Sequence, residues 1–83
     1  PNPFNPMTKL HYDLPKNDRV TITIYDMVGR VVKNIINMNQ AAGYHSIRWN
    51  ATDYAGQSVS AGLYFYTIEA GNFRQTRKIM LLK

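Results

Sequence analysis

The 83-residue sequence contains no cysteine. That excludes a disulfide staple, a thiolate nucleophile and a soft metal ligand, so the fold must rest on packing and backbone pairing, and the redox compartment stays open. Acids are scarce, five in all, and there are two histidines, which leaves little material for acid–base chemistry or for a hard-cation site. No apolar run approaches the ~18 to 20 residues of a membrane-spanning helix, so no transmembrane segment is expected. The start lacks the charged-then-apolar pattern of a signal peptide, which puts any export signal upstream, on a larger parent. A sustained helical period is missing as well. A chain of this length is read as a single domain, 1–83, and a domain of this size buries roughly 60% of the surface that its unfolded chain exposes.

Positive charge is what the chain has in excess. Ten Lys and Arg against five acids give a net charge of +5, which suits an acidic partner such as nucleic acid, lipopolysaccharide phosphate or an acidic receptor groove. The charges run from Lys9 to Lys83 and are dense only at Arg74, Arg77, Lys78 and Lys83. No basic helix or base-stacking motif accompanies them, so nucleic acid is not expected.

Short alternating runs dominate. Thr8, Leu10, Tyr12 and Leu14 share one face of a first strand, and Lys9, His11 and Asp13 the other. Val20, Ile22 and Ile24 alternate with Thr21, Thr23 and Tyr25, rich in the β-branched side chains that suit a pleated surface. Val31 to Met38 breaks strict alternation at Val32, Ile35 and Ile36, which fits a bulge, a strand buried on both sides, or a short helical turn. His45, Ile47 and Trp49 share a parity that makes Trp49 a core residue. From Gly62, Tyr64, Tyr66 and Ile68 form one face and Leu63, Phe65 and Thr67 the other. Bulk on both faces predicts a central strand. Phe73 to Leu82 supplies the last strand, with Gly71-Asn72 as its hairpin turn. These runs, six or seven in number, predict an all-β, immunoglobulin-like antiparallel sandwich of about seven strands.

Two corners repeat one chemistry. Asp26-Met27-Val28-Gly29 and Asp53-Tyr54-Ala55-Gly56 place Asp first and Gly fourth, as in a type I turn whose carboxylate accepts backbone N–H groups. Asn50, Thr52 and Asp53 also cluster hard oxygens, but calcium sites recruit several carboxylates and this stretch has one, so the reading is structural and no metal or cofactor is expected. His11 lies on a polar face, and His45, beside Ile47 and Trp49, reads as a hydrogen-bonded packing residue. No nucleophile–His–Asp order, paired carboxylates or phosphate-cradling loop can be assembled, and no enzyme is expected. Outward Tyr25, Tyr44 and Tyr54 are the candidates for a sugar-stacking surface; the simpler account has tyrosines filling a thin core and covering neighbouring strands. Asn50-Ala51-Thr52 matches the glycosylation sequon, which carries weight only in a eukaryotic secretory setting.

The two ends frame the rest. The opening Pro1-Asn2-Pro3-Phe4-Asn5-Pro6 cannot start a helix or sit in a central strand. It reads as a cleavage-accessible arm or as an extended arm that buries Phe4 on the sandwich. With the basic, apolar close Arg77-Lys78-Ile79-Met80-Leu81-Leu82-Lys83 it marks a module of a larger protein. Together with Leu14-Pro15, Val20 to Asp26, Gly29-Arg30, Gly43 to Trp49, Asp53, Gly56 and Gly62 to Tyr66, in that order, the sequence resembles the type A C-terminal sorting domain of the bacterial type IX secretion system. That group grades into the immunoglobulin-like domains related to the flagellar hook-capping protein. The resemblance implies a non-catalytic signal that directs its parent, whose remaining domain lies upstream, through the periplasm to the cell surface or beyond. It implies recognition by an outer-membrane translocon and removal by a sortase-like peptidase. Recognition is expected to fall on the Gly62 to Ile68 strand, at Gly62, Tyr64 and Tyr66, and on the last strand, at Arg77, Lys78, Met80, Leu82 and Lys83, whose apolar and basic side chains suit edge pairing plus charge. The alternative is an immunoglobulin-like accessory module that packs on a neighbouring domain or binds polysaccharide.

Overall fold

The computed structural model describes residues 8–82. The arm Asn2 to Pro6, Phe4 and Lys83 lie outside them. Six strands follow in order: β1 (Thr8–Leu14), β2 (Asp18–Tyr25), β3 (Val31–Gln40), β4 (Gly43–Trp49), β5 (Gly62–Ala70) and β6 (Phe73–Leu81). All pairings are antiparallel: β1 pairs with β4, and the other four form a sheet in the order β3-β2-β5-β6.

Alternation selects the inward faces. Leu10, Tyr12 and Leu14 of β1, Val20, Ile22 and Ile24 of β2, and Tyr64, Tyr66, Ile68 and Ala70 of β5 are buried together with Trp49 and Leu81. The sheets meet through these residues, with Trp49 edge-on to Tyr64 at a centroid distance of 5.3 Å. Polar ties cross the same seam. Tyr66 Oη donates to the His11 carbonyl at 2.8 Å, and Lys33 Nζ to Thr52 Oγ1 at 3.0 Å. Tyr12 Oη donates to Gln40 Oε1. These ties set the two sheets end to end. One end, the lower, carries Thr8, Tyr25, Val31, Trp49, Gly62 and Leu81; the other carries Leu14, Asp18, Gln40, Gly43, Ala70 and Phe73.

Two local features settle alternatives that the sequence left open. The irregular stretch is a bulged strand: Ile22 faces Ile36 but Thr23 faces Asn34, and Ile24 faces Lys33 but Tyr25 faces Val31, so Ile35 and Val32 are extra residues on β3. Six strands form, within the six or seven expected. Between Trp49 and Gly62 the Asp53 turn leaves room for a single bridge, Thr52 to Ser58, with buried Ala51 at φ 60° beside it.

β5 is the central strand that its bulk predicts, lying between β2 and β6. Among the described residues no element covers the outer face of the four-stranded sheet. Register places Val31, Tyr25, Phe65 and Lys78 in one row across it, with Leu63 and Met80 in the next. Leu63 and Phe65 are half-buried by these cross-strand neighbours rather than by a second layer. The upper half of that face is polar, with Thr21, Thr23, Thr67 and Thr76.

Candidate functional site

The last strand is an edge. Among the described residues β6 pairs with β5 alone, and its hairpin closes Ala70 against Phe73 over Gly71-Asn72. Gly71 takes φ +58° while Asn72 keeps a negative φ, the pattern of a type II′ turn, whose first central position favours glycine. A two-residue hairpin makes its closing pair a hydrogen-bonded one, and bonding then alternates. Phe73, Gln75, Arg77, Ile79 and Leu81 therefore bond to β5. Arg74, Thr76, Lys78 and Met80 turn their backbone N–H and C=O to the open edge and their side chains to the outer face. Lys78 and Met80 are exposed, and Leu82 follows, also exposed.

The residues expected to form a recognition surface separate into two sets. Arg77, Lys78, Met80 and Leu82 lie along or beside the edge. Tyr64 and Tyr66 are 6% and 5% exposed, and their hydroxyls donate to the Ser60 and His11 carbonyls, so both belong to the core. Gly62 starts β5 at φ +142°, opposite Leu81.

The two Asp corners are the same object built twice. Asp26 Oδ1 accepts from Val28 N and Arg30 N at 3.0 and 2.9 Å, and Asp53 Oδ1 from Ala55 N and Gln57 N at 2.9 and 3.0 Å. In each the Gly amide closes the turn on the Asp carbonyl, at 3.1 Å for Gly29 and 3.0 Å for Gly56. The corners flank one shallow cleft at the lower end, with Arg30, Ser58, Ser60 and Tyr64 also lining it. Partial burial would raise the Asp26 carboxyl, but the Arg30 N–H, the Arg30 guanidinium at 2.8 Å and the Val28 N–H outweigh it and hold the group below the usual carboxylate range. In Tyr12 burial prevails over the Gln40 hydrogen bond and pushes the phenol up.

Other sequence candidates disperse. The oxygens near Asp53 are engaged: Thr52 Oγ1 donates to Asn50 Oδ1 and accepts from the Lys33 ammonium, a cation where calcium would have to sit. No group of three or more metal-binding side chains forms among the described residues. His45 stacks on Tyr12 at 5.2 Å and its Nε2 lies 2.7 Å from the Ala41 carbonyl. Tyr25 lies on the outer face, Tyr44 at the upper start of β4 and Tyr54 on the lower Asp53 corner, so the three rings share no platform. The sequence reading overlooked the lower apolar row and the exposed corner tips Met27 and Val28. Their signal was present: Asp and Gly fix each turn, so the two residues between them are free of a folding role.

A family model described as FlgD Ig-like domain matches residues 7–73. Among solved structures, the crystal structure of FlgD from P. aeruginosa superposes with a TM-score of 0.74 at 28% identity, over 90% of this chain and 58% of that one. The chain thus spans little more than half the length of that relative. No curated protein matches.

Proposed function

The chain belongs to the FlgD Ig-like domain family, and on that premise we propose that it is a non-catalytic recognition module, acting as a sorting domain that delivers its parent to the type IX outer-membrane translocon. The observation that carries this reading is the open β6 edge. Unpaired backbone groups at Arg74, Thr76, Lys78 and Met80 offer a template for strand addition. Arg77 and Lys78 supply charge that steers an acidic partner strand and fixes its register. The ordered motifs from the proline-rich opening to the basic close support the same assignment. A sortase-like peptidase then removes the domain, and the parent reaches the cell surface or the medium. The test is to express a passenger with and without residues 1–83 in a bacterium that has this secretion system, and to follow it by surface proteolysis and fractionation. Delivery that needs the domain is expected. Delivery unaffected by its loss overturns the sorting role.

A second reading, an accessory module that packs on a neighbouring domain, is favoured by the uncovered apolar row Val31, Tyr25, Phe65, Leu63 and Met80 and by the greater length of the FlgD chain. It predicts that Phe65→Ser loosens the domain from its neighbour, measured as faster proteolysis of the connection in the parent, with export unchanged.

A further inference from the structure

Among the described residues eight large apolar side chains are exposed, and six of them, Met27, Val28, Val31, Tyr54, Met80 and Leu82, sit at the lower end. Met38 and Tyr44 are the two at the upper end. Charge divides the same way. At the upper end Lys16, Arg19 and Arg74 balance Asp13, Asp18 and Glu69. Among the described residues the lower end holds five cations, Lys9, Arg30, Lys33, Arg48 and Lys78, against two carboxylates, Asp26 and Asp53, with Arg77 at the midpoint of β6. Asp26 already holds the Arg30 guanidinium. The excess positive charge and the exposed apolar surface therefore coincide.

We propose that this lower end is a peripheral binding surface for anionic lipid. The shape of the end favours a lipid surface over an acidic protein. Three strongly exposed apolar groups, Met27 at 69%, Val28 at 74% and Tyr54 at 66%, ride on the tips of the two corners rather than lining a groove. Each corner is held by two hydrogen bonds to its own Asp carboxylate and one to its Asp carbonyl, so the tips are presented with little conformational entropy left to lose. Rigid apolar points that enter the headgroup region, an aromatic ring at its level and cations around them are what an anionic bilayer surface binds. Each cation near such a surface is worth about a fivefold gain in binding. The surface exists whether or not the domain acts as a sorting signal.

The test uses the 83-residue chain with vesicles of equal parts phosphatidylcholine and phosphatidylglycerol, and with phosphatidylcholine alone, read by co-sedimentation. Binding is expected on the anionic vesicles only. It should disappear in about 1 M NaCl, where the screening length falls to about 3 Å. The double variant Met27→Ser, Val28→Ser should weaken it by about tenfold or more, and Lys78→Ala by about fivefold. Both changes are at exposed sites, and an unchanged thermal melt shows that they fold. Met38→Ser, Tyr44→Ser at the opposite end should leave binding intact. No binding to the anionic vesicles, equal loss in the upper-end variant, or full binding by the Met27, Val28 variant overturns the proposal. Equally tight binding to soluble polyglutamate, indifferent to Met27 and Val28, makes the end a docking site for an acidic protein instead and also overturns it.

Discussion

Proline scanning along β6 separates recognition by the edge from stability of the fold. Arg77 and Lys78 are adjacent, both basic, and differ in where their N–H points. Counting from the Ala70–Phe73 closing pair, Arg77 bonds to Tyr66 across the ladder and Lys78 faces the open edge. Arg77→Pro removes one ladder hydrogen bond, worth about 1 kcal/mol. It also leaves the Tyr66 carbonyl without its donor at a cost of about 1–3 kcal/mol, roughly 2–4 kcal/mol in all. For a domain of this size that lowers Tm by about 8–30 °C, at about 4–8 °C for each kcal/mol. Lys78→Pro removes no ladder bond, and proline's demand for an extended preceding residue is already met by Arg77 in the strand, so the cost should stay within about 1 kcal/mol. Thermal unfolding by far-UV circular dichroism measures both. Export of a passenger fused to Lys78→Pro, compared with Lys78→Ala to subtract the charge, then measures the edge. The folded proline variant should export at a small fraction of the alanine level. A Lys78→Pro melt as low as that of Arg77→Pro refutes the register, and normal export by folded Lys78→Pro refutes recognition by strand addition.

Three further outcomes follow from the packing. Tyr66→Phe keeps the ring and removes only the bond to the His11 carbonyl, so unfolding by denaturant should show a loss of about 0.5–1.5 kcal/mol with an unchanged m-value. Asp26 has a depressed pKa in the fold, so its stabilisation is present above the unfolded value of about 3.9 and is lost as pH falls through the folded value. Melts of Asp26→Asn and the native chain should therefore differ at pH 7 and converge in strong acid, and a constant gap would be the wrong sign for this linkage. Gly71→Ala should cost at least about 1 kcal/mol in the same denaturant assay from its left-handed φ. The Asp18 carboxylate, 2.7 Å from the added carbon, must also swing aside.

Parity made the core of this domain readable. Leu10, Tyr12 and Leu14, then Val20, Ile22 and Ile24, then Tyr64, Tyr66 and Ile68 each fall on one face of a period-two run, and those faces are the buried ones. Parity says which side of a strand is apolar and nothing about which strand lies beside it. The pairing of β1 with β4 rather than with β2 was therefore invisible, and so was the open outer face. Leu63 and Phe65 look the same in sequence whether a second layer or the rings of neighbouring strands cover them. The bulges at Ile35 and Val32 shift the count by one each, which is why β3 read as irregular. Among the recognition candidates, Tyr64 and Tyr66 come from the strand set beside the last one, whereas their hydroxyls are bound inside the sandwich. Met27 and Val28 escaped notice because a turn is read by the residues that make it, and these two do not.

The two proposed surfaces share Lys78 and Met80. Met80 ends the open stretch of β6 and also belongs to the apolar row at the lower end, while Lys78 lies beside it on the same face. Met27 and Val28 sit across the sheet on the corner that follows β2. Substitutions that share no partner add in free energy, and those that share one do not. Lys78→Pro combined with Met27→Ser, Val28→Ser therefore reports whether edge and end serve one partner or two. With separate partners, vesicle binding by the triple variant should fall only by the product of the loss in the Met27, Val28 variant and the single-cation loss at Lys78, because the edge backbone plays no part in lipid contact. Export should then fall no further than in Lys78→Pro alone. A shared partner gives a different result: the Met27, Val28 change alone would lower export, and the triple variant would show less than the product of the separate losses, since a contact already broken at the edge cannot be broken again at the tip.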